Sequence, residues 1–252
     1  MMILVRRSIL YMSNKSYLNK DGEQLYVLHF PGTGIEGHEY IIEQELDREI
    51  VVSANLSIIS IMDKKCWDTS PVRIQCEKNN IPLYNTALDE REWNNTIKIN
   101  HILNCLEQIT TDYVLIVDGR DVIFVNDLDD NFIEKYKQFN KPIIYNGTPV
   151  SYPNNVIIEP LNELLNIKGK QRYLNAGVCI GERETLKEFY QKAEIEKRNV
   201  DEDNRSEQLL IRKTKVKNPH LVWHDTDNKI FRIVHKFDTT INWIDENTCI
   251  II

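Results

Sequence analysis

The sequence is poor in the features that mark specialised classes of protein. Its 252 residues include only 9 glycines and 8 prolines, which excludes a collagen-like or low-complexity chain. No long uncharged apolar run occurs, so no transmembrane segment is predicted. The five cysteines are scattered and form no Cys-x-x-Cys pair, which argues against a zinc knuckle or a disulfide framework. Together with the absence of an apolar leader segment, the scattered cysteines predict a cytoplasmic protein.

Basic charge is also scarce. The chain has 31 Lys and Arg residues against 38 Asp and Glu residues, a net charge of -7. Binding to nucleic acid needs a concentration of positive charge, so a broad nucleic-acid surface is excluded and no such partner is predicted. What the sequence does contain is ordinary for a globular protein, with 42% hydrophobic and 27% charged residues in a chain long enough to bury a large core.

Short runs of β-branched residues alternate with helical patterns along the chain. This alternation predicts a layered α/β fold, and because no repeat or linker interrupts it, residues 1–252 are predicted to form a single domain. Strands are predicted at residues 25–30, 56–62, 81–84, 113–117, 143–145, 174–180 and 230–234. Helices are predicted at residues 71–79, with Ser70 as N-cap, and at 95–109, 183–193 and 206–213.

The most apolar strand, residues 113–117, ends at Asp118, and Asp121 follows three residues later. A fully apolar strand is typical of the centre of a parallel sheet, and ligands of such sheets bind beyond the carboxyl ends of the strands. Two carboxylates on one tight turn can hold Mg²⁺ or Mn²⁺ together with a diphosphate. The alternative is a solvated acidic turn in which Arg120 contacts Asp118. Arg120 also argues against a phosphatase of the haloacid-dehalogenase type, since it occupies the position of the general acid.

The segment Asp-Gly-Arg-Asp-Val-Ile-Phe at residues 118–124 resembles the Asp-x-x-Asp-Val-Ile-Phe signature of one enzyme family. That family is the glycosyltransferase domain of procollagen lysyl hydroxylases and of related viral and bacterial proteins. Four further segments resemble the family in the same order and spacing, and the similarity covers about residues 55 to 235. They are Lys-Ile at 98–99, Tyr-Leu-Asn-Ala-Gly-Val-Cys-Ile-Gly at 173–181, Glu-Gln-Leu-Leu at 207–210 and Lys-Ile-Phe-Arg at 229–232.

This resemblance implies a GT-A fold, with a mixed central sheet flanked by helices. It implies an enzyme that moves a sugar from a UDP-sugar donor to a hydroxyl acceptor on a protein or glycan, with Mn²⁺ or Mg²⁺ as cofactor. Asp118 and Asp121 are implied to hold the metal that bridges the donor diphosphate and acts as a Lewis acid on the departing UDP. The implied donor-binding residues are Asp118, Lys98, Asn175 and Gly177. At Gly177 the missing side chain would let the backbone approach the sugar.

The resemblance offers two candidates for the catalytic residue. Glu207 occupies the place of a family acid near the acceptor, where a carboxylate takes a proton from the acceptor hydroxyl. Glu207 is equally explained as an ordinary acid in the first turn of a helix, favoured by the helix dipole. The family's acidic cluster is spread over residues 201–207 here, so Asp203 is the alternative catalytic residue.

A third metal ligand would have to come from a different part of the chain than in the family. The family takes it from a late His-x-Asn-Gly segment that is missing here, whereas Leu-Tyr-Val-Leu-His-Phe-Pro-Gly at residues 25–32 is a similar strand end. We therefore hypothesise that residues 1–50 are a rearranged segment whose strand lies beside the Asp118 strand and brings His29 to the metal. The alternative is that His29 is a histidine with its hydrogen bonds satisfied inside a strand.

Two other functions remain open from the sequence. Gly-Thr-Gly-Ile-Glu-Gly at residues 32–37 matches the glycine pattern of a Rossmann-type dinucleotide enzyme, although Pro31 crowds the turn and no acidic residue ends a clear second strand. The second open function is a sugar- or nucleotide-binding module without turnover, since the sequence does not identify one clear catalytic carboxylate. Trp223, His224 and Asp225 either face an acceptor sugar or belong to the core.

Overall fold

The computed structural model describes residues 16–35, 38–151, 162–163, 165–198, 206–235, 242–245 and 248–249. The strands are β1 (Ser16–Leu18), β2 (Val27–His29), β3 (Leu56–Ile59), β4 (Leu83–Tyr84), β5 (Tyr113–Val117), β6 (Val122–Phe124), β7 (Ile143–Thr148), β8 (Tyr173–Glu182), β9 (Val222–Asp225), β10 (Phe231–Ile233), β11 (Asn242–Asp245) and β12 (Thr248–Cys249). The helices are α1 (Glu39–Glu45), α2 (Lys64–Thr69), α3 (Pro71–Lys78), α4 (Lys98–Gln108), α5 (Asp130–Lys137), α6 (Arg183–Lys197) and α7 (Glu207–Lys217). Short 3₁₀ helices span Gly32–Ile35 and Asn95–Ile97.

A six-stranded mixed sheet, in the order β4-β3-β5-β8-β7-β9, forms the centre of the fold. β5 lies in its interior, parallel to β3 and antiparallel to β8. The prediction of a central strand is confirmed. Only one of its two neighbours, β3, runs parallel to it, whereas β8 runs in the opposite direction. Val114 and Ile116 pack on one face of the sheet and Leu115 and Val117 on the other, which explains why β5 is apolar throughout.

Helices and a second sheet cover the two faces of the central sheet. The apolar residues of α4, α6 and α7 pack together on one face, in a cluster that includes Ile102, Phe189 and Leu210. The other face is covered by α3, α5 and a three-stranded sheet in the order β10-β2-β6, whose residues include Val27 and Phe231. The predicted α/β class, with a mixed sheet flanked by helices, is confirmed. A third small sheet has the order β1-β11-β12.

Local signals in the sequence determine where the site-bearing helices begin. Ser70 caps α3, as predicted, since its side chain accepts a hydrogen bond from the N–H of Arg73 at 3.1 Å. Ser206 caps α7 in the same way, accepting from the N–H of Leu209 at 3.1 Å, so Glu207 is the first residue of that helix. The helix predicted at 95–109 opens as a 3₁₀ turn and becomes α-helical at Lys98.

The N-terminal strand β2 is the middle strand of the second sheet. It runs antiparallel to β6 and parallel to β10. Val27, Leu28 and Phe30 are completely buried there. This strand is therefore part of the core, although it comes before every strand of the central sheet in the chain. Among the described residues, no helix combines the length and the apolar character that crossing a membrane requires.

Candidate active site

Three strand ends bring the predicted metal ligands together. β5 ends at Val117, directly before Asp118, and β6 begins at Val122, directly after Asp121. The N-terminal strand was expected beside the Asp118 strand, but β2 pairs instead with β6, so that His29 lies opposite Val122. His29 reaches the site all the same, because the loop that contains both aspartates joins β5 to β6.

His29, Asp118 and Asp121 form a cluster whose ligand atoms all lie within 4.8 Å of one another. Nε2 of His29 is 3.5 Å from Oδ1 of Asp121 and 3.9 Å from Oδ2 of Asp118. The imidazole is 2% exposed, and neither ring nitrogen has a hydrogen-bond partner among the described residues. Among the described residues, the polar contacts of Nε2 are with the two carboxylates alone, and the satisfied histidine that the sequence offered as an alternative is not observed there. Burial opposes the charged imidazole, but Asp121 and Asp118 outweigh it and raise the pKa of His29.

The cluster fits a divalent cation. Carboxylate oxygens are preferred ligands of Mn²⁺ and Mg²⁺, and an imidazole nitrogen is a softer ligand that suits transition metals better than Mg²⁺. Buried polar atoms in folded proteins almost always have a hydrogen-bond partner, and no hydrogen bond to either ring nitrogen of His29 is found among the described residues. A cation bound between His29 and the two aspartates would supply that partner and would offset the repulsion between the carboxylates.

Lys98, whose side chain is largely buried, links this cluster to the predicted catalytic carboxylate. Nζ of Lys98 is 2.5 Å from Oδ1 of Asp118 and 3.2 Å from Oε2 of Glu207. Burial works against the charge on Lys98, but the two carboxylates outweigh it and raise its pKa. Burial likewise works against the charge on Asp118, but Lys98 and His29 outweigh it and lower the pKa of that carboxyl group.

Glu207 lies at the start of α7 but is not a solvated helix-terminal acid. Only 8% of the residue is exposed, and its carboxylate contacts Lys98. Burial is the largest influence on its charge, and together with Asp118 it outweighs Lys98 and raises the pKa of Glu207 to about 7. Asp203, the alternative acid, lies outside the described residues.

Two cavities meet at Lys98, Asp118 and Asp121. The larger, of about 480 Å³, is also lined by His29, Asn175 and Glu207. The smaller, of about 350 Å³, lies beyond the end of β3 and is also lined by Met62, Trp93 and Arg120. Volumes of this size are typical of small-molecule sites, and the shared wall contains the carboxylates of the two predicted metal ligands.

Asn175 and Gly177 lie on β8, next to the cluster. Oδ1 of Asn175 accepts a hydrogen bond from the N–H of Gly177 at 2.8 Å, and the carbonyl of Gly177 accepts one from the N–H of Asp118 at 2.7 Å. The structure therefore brings together every predicted site residue that it describes.

His235 is a cavity residue with no signal in the sequence. His235 lines the larger cavity, although its spacing from the other histidines suggests no ligand role. β10 runs parallel to β2, with Ile233 opposite His29, so both strands lead to the same edge of the second sheet. Pairing between strands far apart in the chain cannot be deduced from local spacing, which explains why His235 was missed.

Two other sequence features have structural explanations. His224 and Asp225 are completely buried, and Asp225 accepts hydrogen bonds from three backbone N–H groups of residues 229–231, so both belong to the core. In the glycine pattern, Gly32–Ile35 forms a 3₁₀ turn, and residues 36–37 lie outside the described residues. The preceding strand, β2, pairs with β6 and β10 outside the central sheet, which is not the βαβ context of a dinucleotide site.

Comparison with known families places the site in context. Residues 89–248 match the PLOD GT domain, the glycosyltransferase domain of procollagen lysyl hydroxylases. The chain belongs to this family. The predicted resemblance and the predicted GT-A type of fold are thereby confirmed. The matched segment contains both aspartates, Lys98 and Glu207, whereas His29 precedes it.

Other comparisons add little. No curated protein matches the chain. Among solved structures, a Bacillus anthracis protein named as a glucose-1-phosphate thymidylyltransferase, in complex with a sucrose, aligns with 77% of this chain and 90% of its own. The sequences are 8% identical and the TM-score is 0.35, which is too low to support an argument about function.

Proposed function

We propose that this protein transfers a sugar from a UDP-sugar to a hydroxyl group of a protein or glycan, in a reaction that depends on Mn²⁺ or Mg²⁺. The family is a glycosyltransferase domain. The observation that carries the finer proposal is the cluster of His29, Asp118 and Asp121 at the meeting point of two cavities. A donor diphosphate bound against these carboxylates requires a cation between the two sets of negative charge.

Asp118, Asp121 and His29 would hold this cation. When bound, it supplies positive charge that offsets the charge developing on the departing UDP. Lys98 adds a second positive charge at the same wall, since its Nζ lies 2.5 Å from Asp118. The contacts of Lys98 with Asp118 and Glu207 also keep these two carboxylates in a defined arrangement.

Glu207 is the proposed base. The oxygen of the acceptor hydroxyl forms a bond to the anomeric carbon of the sugar, and the proton of that hydroxyl passes to the Glu207 carboxylate. At the same time, the bond between the anomeric carbon and the diphosphate oxygen breaks. UDP then leaves with the electron pair of that bond. The position of Glu207 on the larger cavity supports this role, and a pKa of about 7 suits a group that takes up and releases a proton near neutral pH.

We also propose that residues 1–252 form one domain in which residues 1–50 complete the active site. The support is β2, which lies between β6 and β10 and ends at His29. A cytoplasmic location is part of the same proposal. It is supported by four free cysteines, Cys66, Cys76, Cys105 and Cys179.

A thermal-shift screen of nucleotide sugars, with and without Mn²⁺, tests this function. For the wild type we expect one UDP-sugar to raise the unfolding midpoint in the presence of Mn²⁺, because a ligand that binds the folded state stabilises it. Asp118→Asn and Asp121→Asn should abolish this shift. His29→Ala should raise the Mn²⁺ concentration at which the shift appears.

The matched control is Asp47→Asn, which removes a carboxylate from an exposed ion pair with Lys78 and should leave the shift unchanged. If no nucleotide sugar gave a Mn²⁺-dependent shift, the proposed function would be wrong. A shift with NAD instead would favour the dinucleotide alternative. Donor binding without release of UDP in the presence of any acceptor would favour the binding module.

A further inference from the structure

Gly177 has a constrained position in the candidate active site. Its N–H donates to Oδ1 of Asn175, and its carbonyl accepts from the N–H of Asp118. Both of its backbone polar groups are therefore engaged, and the residue cannot shift without breaking a hydrogen bond to one of these two neighbours.

The space in front of the Gly177 Cα is bounded by metal-ligand side chains. A Cβ at this position would lie 2.3 Å from Cε1 of His29, 2.7 Å from Oδ2 of Asp118 and 2.8 Å from Nε2 of His29. Contacts this short force neighbouring atoms to move. Oδ2 of Asp118 and Nε2 of His29 are also the atoms that lie 3.9 Å apart in the cluster, so both face the space that glycine leaves open.

Backbone conformation does not explain the glycine. Among the described residues, the glycines with positive φ are Gly22, Gly32 and Gly169. Gly177 is not one of them, so a residue with a side chain could adopt its backbone angles. What excludes a side chain at Gly177 is the closeness of His29 and Asp118.

We propose that Gly177 is a positioning residue of the metal site, whose missing side chain leaves the room in which a divalent cation binds between His29 and Asp118. This inference rests on the proposed metal-dependent function. It differs from the sequence-based expectation, in which the room at Gly177 serves the donor sugar. The three nearest atoms belong to the two metal ligands, and that observation favours the cation.

Direct Mn²⁺ binding without nucleotide, followed by electron paramagnetic resonance of the free ion, tests the inference on the full chain. Gly177→Ala should weaken binding by about ten-fold or more, the range seen when residues that orient metal ligands are changed. The matched control is Gly181→Ala on the same strand, where a Cβ would lie 2.9 Å from both Cγ of Leu186 and the carbonyl oxygen of Pro142. Gly181→Ala should lower the unfolding midpoint but leave Mn²⁺ binding within about two-fold of wild type.

A double mutant separates a collision at the site from general destabilisation. His29→Ala removes the atom nearest to the added Cβ. In that background, Gly177→Ala should lower the unfolding midpoint of the metal-free protein by less than it does in the wild type, because neighbouring changes are not additive. If Gly177→Ala alone fails to fold, the double mutant should fold, and failure of both would overturn the inference.

The outcomes distinguish this inference from the proposed function. Wild-type Mn²⁺ affinity in Gly177→Ala would overturn the inference and leave the function intact. If that variant also lost affinity for the UDP-sugar but not for UDP, the room at Gly177 would belong to the sugar. A wild-type protein that binds no Mn²⁺ would overturn the metal site itself, and this inference with it.

Discussion

At the scale of single residues, the candidate active site brings opposite charges within a few ångströms of one another. Asp118 uses Oδ1 to contact Lys98, and its Oδ2 faces His29. The other carboxylate that contacts Lys98 is Glu207, at 3.2 Å. The ammonium group of Lys98 thus lies between Asp118, a proposed metal ligand, and Glu207, the proposed base. A change at Glu207 need not change metal binding.

Glu207→Gln tests this separation of roles. The amide keeps the size of the side chain but cannot accept a proton as a carboxylate does, so we expect kcat for UDP release to fall by about 10²–10⁴-fold. Affinity for UDP with Mn²⁺ should stay within a few-fold of wild type, as measured by calorimetry. The control is Glu184→Gln, an exposed first-turn acid of α6, which should have no effect. Turnover at the wild-type rate in Glu207→Gln would show that another group is the base.

At the scale of elements, α3 is hydrogen-bonded to β6, the strand that follows the loop containing Asp118 and Asp121. The side chain of Gln75 accepts from the N–H of Phe124 at 2.8 Å and donates to its carbonyl at 2.9 Å. The same amide donates to the carbonyl of Glu45 at 2.8 Å. A side chain on a helix thereby satisfies backbone groups of β6 that would otherwise be buried without partners.

Gln75→Leu should therefore be strongly destabilising. It leaves the N–H and carbonyl of Phe124 and the carbonyl of Glu45 without this partner, and we expect a loss of about 2–5 kcal/mol in the free energy of unfolding in urea. The matched control is Gln108→Leu at the exposed end of α4, which should cost less than about 0.5 kcal/mol. A similar, small loss in both variants would contradict the assigned role of Gln75.

The contact between α7 and β9 predicts a dependence of stability on pH. Nζ of Lys215 lies 2.6 Å from Nδ1 of His224, and both residues are buried. Burial, with smaller contributions from Arg212 and Lys141, lowers the pKa of Lys215 to about 7. In the unfolded chain the amine has an ordinary pKa of about 10.4, so the unfolded state binds more protons between these values.

Stability contributed by Lys215 should consequently rise with pH from about 7 to about 10 and fall as the pH returns to neutral. Lys215→Met removes the titrating group and keeps the length of the side chain. The difference in unfolding free energy between wild type and this variant, measured in urea at several pH values, should move in favour of wild type as pH rises. A difference that does not change with pH would contradict the prediction.

At the scale of the whole molecule, the N-terminal segment is integrated with the family-matched segment. β2 lies between β6 and β10, and its removal would leave both strands without their common partner. The loss of Val27, Leu28 and Phe30 would also open the hydrophobic core. The matched segment begins at residue 89, so the family match alone does not cover a complete fold here.

A fragment of residues 51–252 should therefore show no cooperative unfolding transition by circular dichroism. The full chain should show one, and in the full chain Leu28→Ala should cost about 2–5 kcal/mol without preventing folding. A fragment that unfolds cooperatively and binds Mn²⁺ like the full chain would refute the single domain and the role of His29 together.

The sequence by itself determined the features that depend on neighbouring residues. Ser70 is a helix cap as predicted, because a cap requires only a side-chain oxygen near the next turn. Ser206, predicted as the first residue of a helix, is the cap directly before it. The end of β5 at Val117 follows from its apolar run and the acidic loop behind it. The order of the short motifs was sufficient to predict the family, and with it the GT-A type of fold.

Tertiary structure alone decided which of these residues meet. His29 reaches the aspartates through β6 rather than β5, and β8 runs antiparallel to β5, since strand direction and partners depend on contacts across most of the chain. The same contacts place Lys98 between Asp118 and Glu207. These three residues lie at the start of α4, directly after β5 and at the start of α7. Periodicity and capping report local preferences, whereas the distances that define this site arise only when remote strands pair and their ends converge.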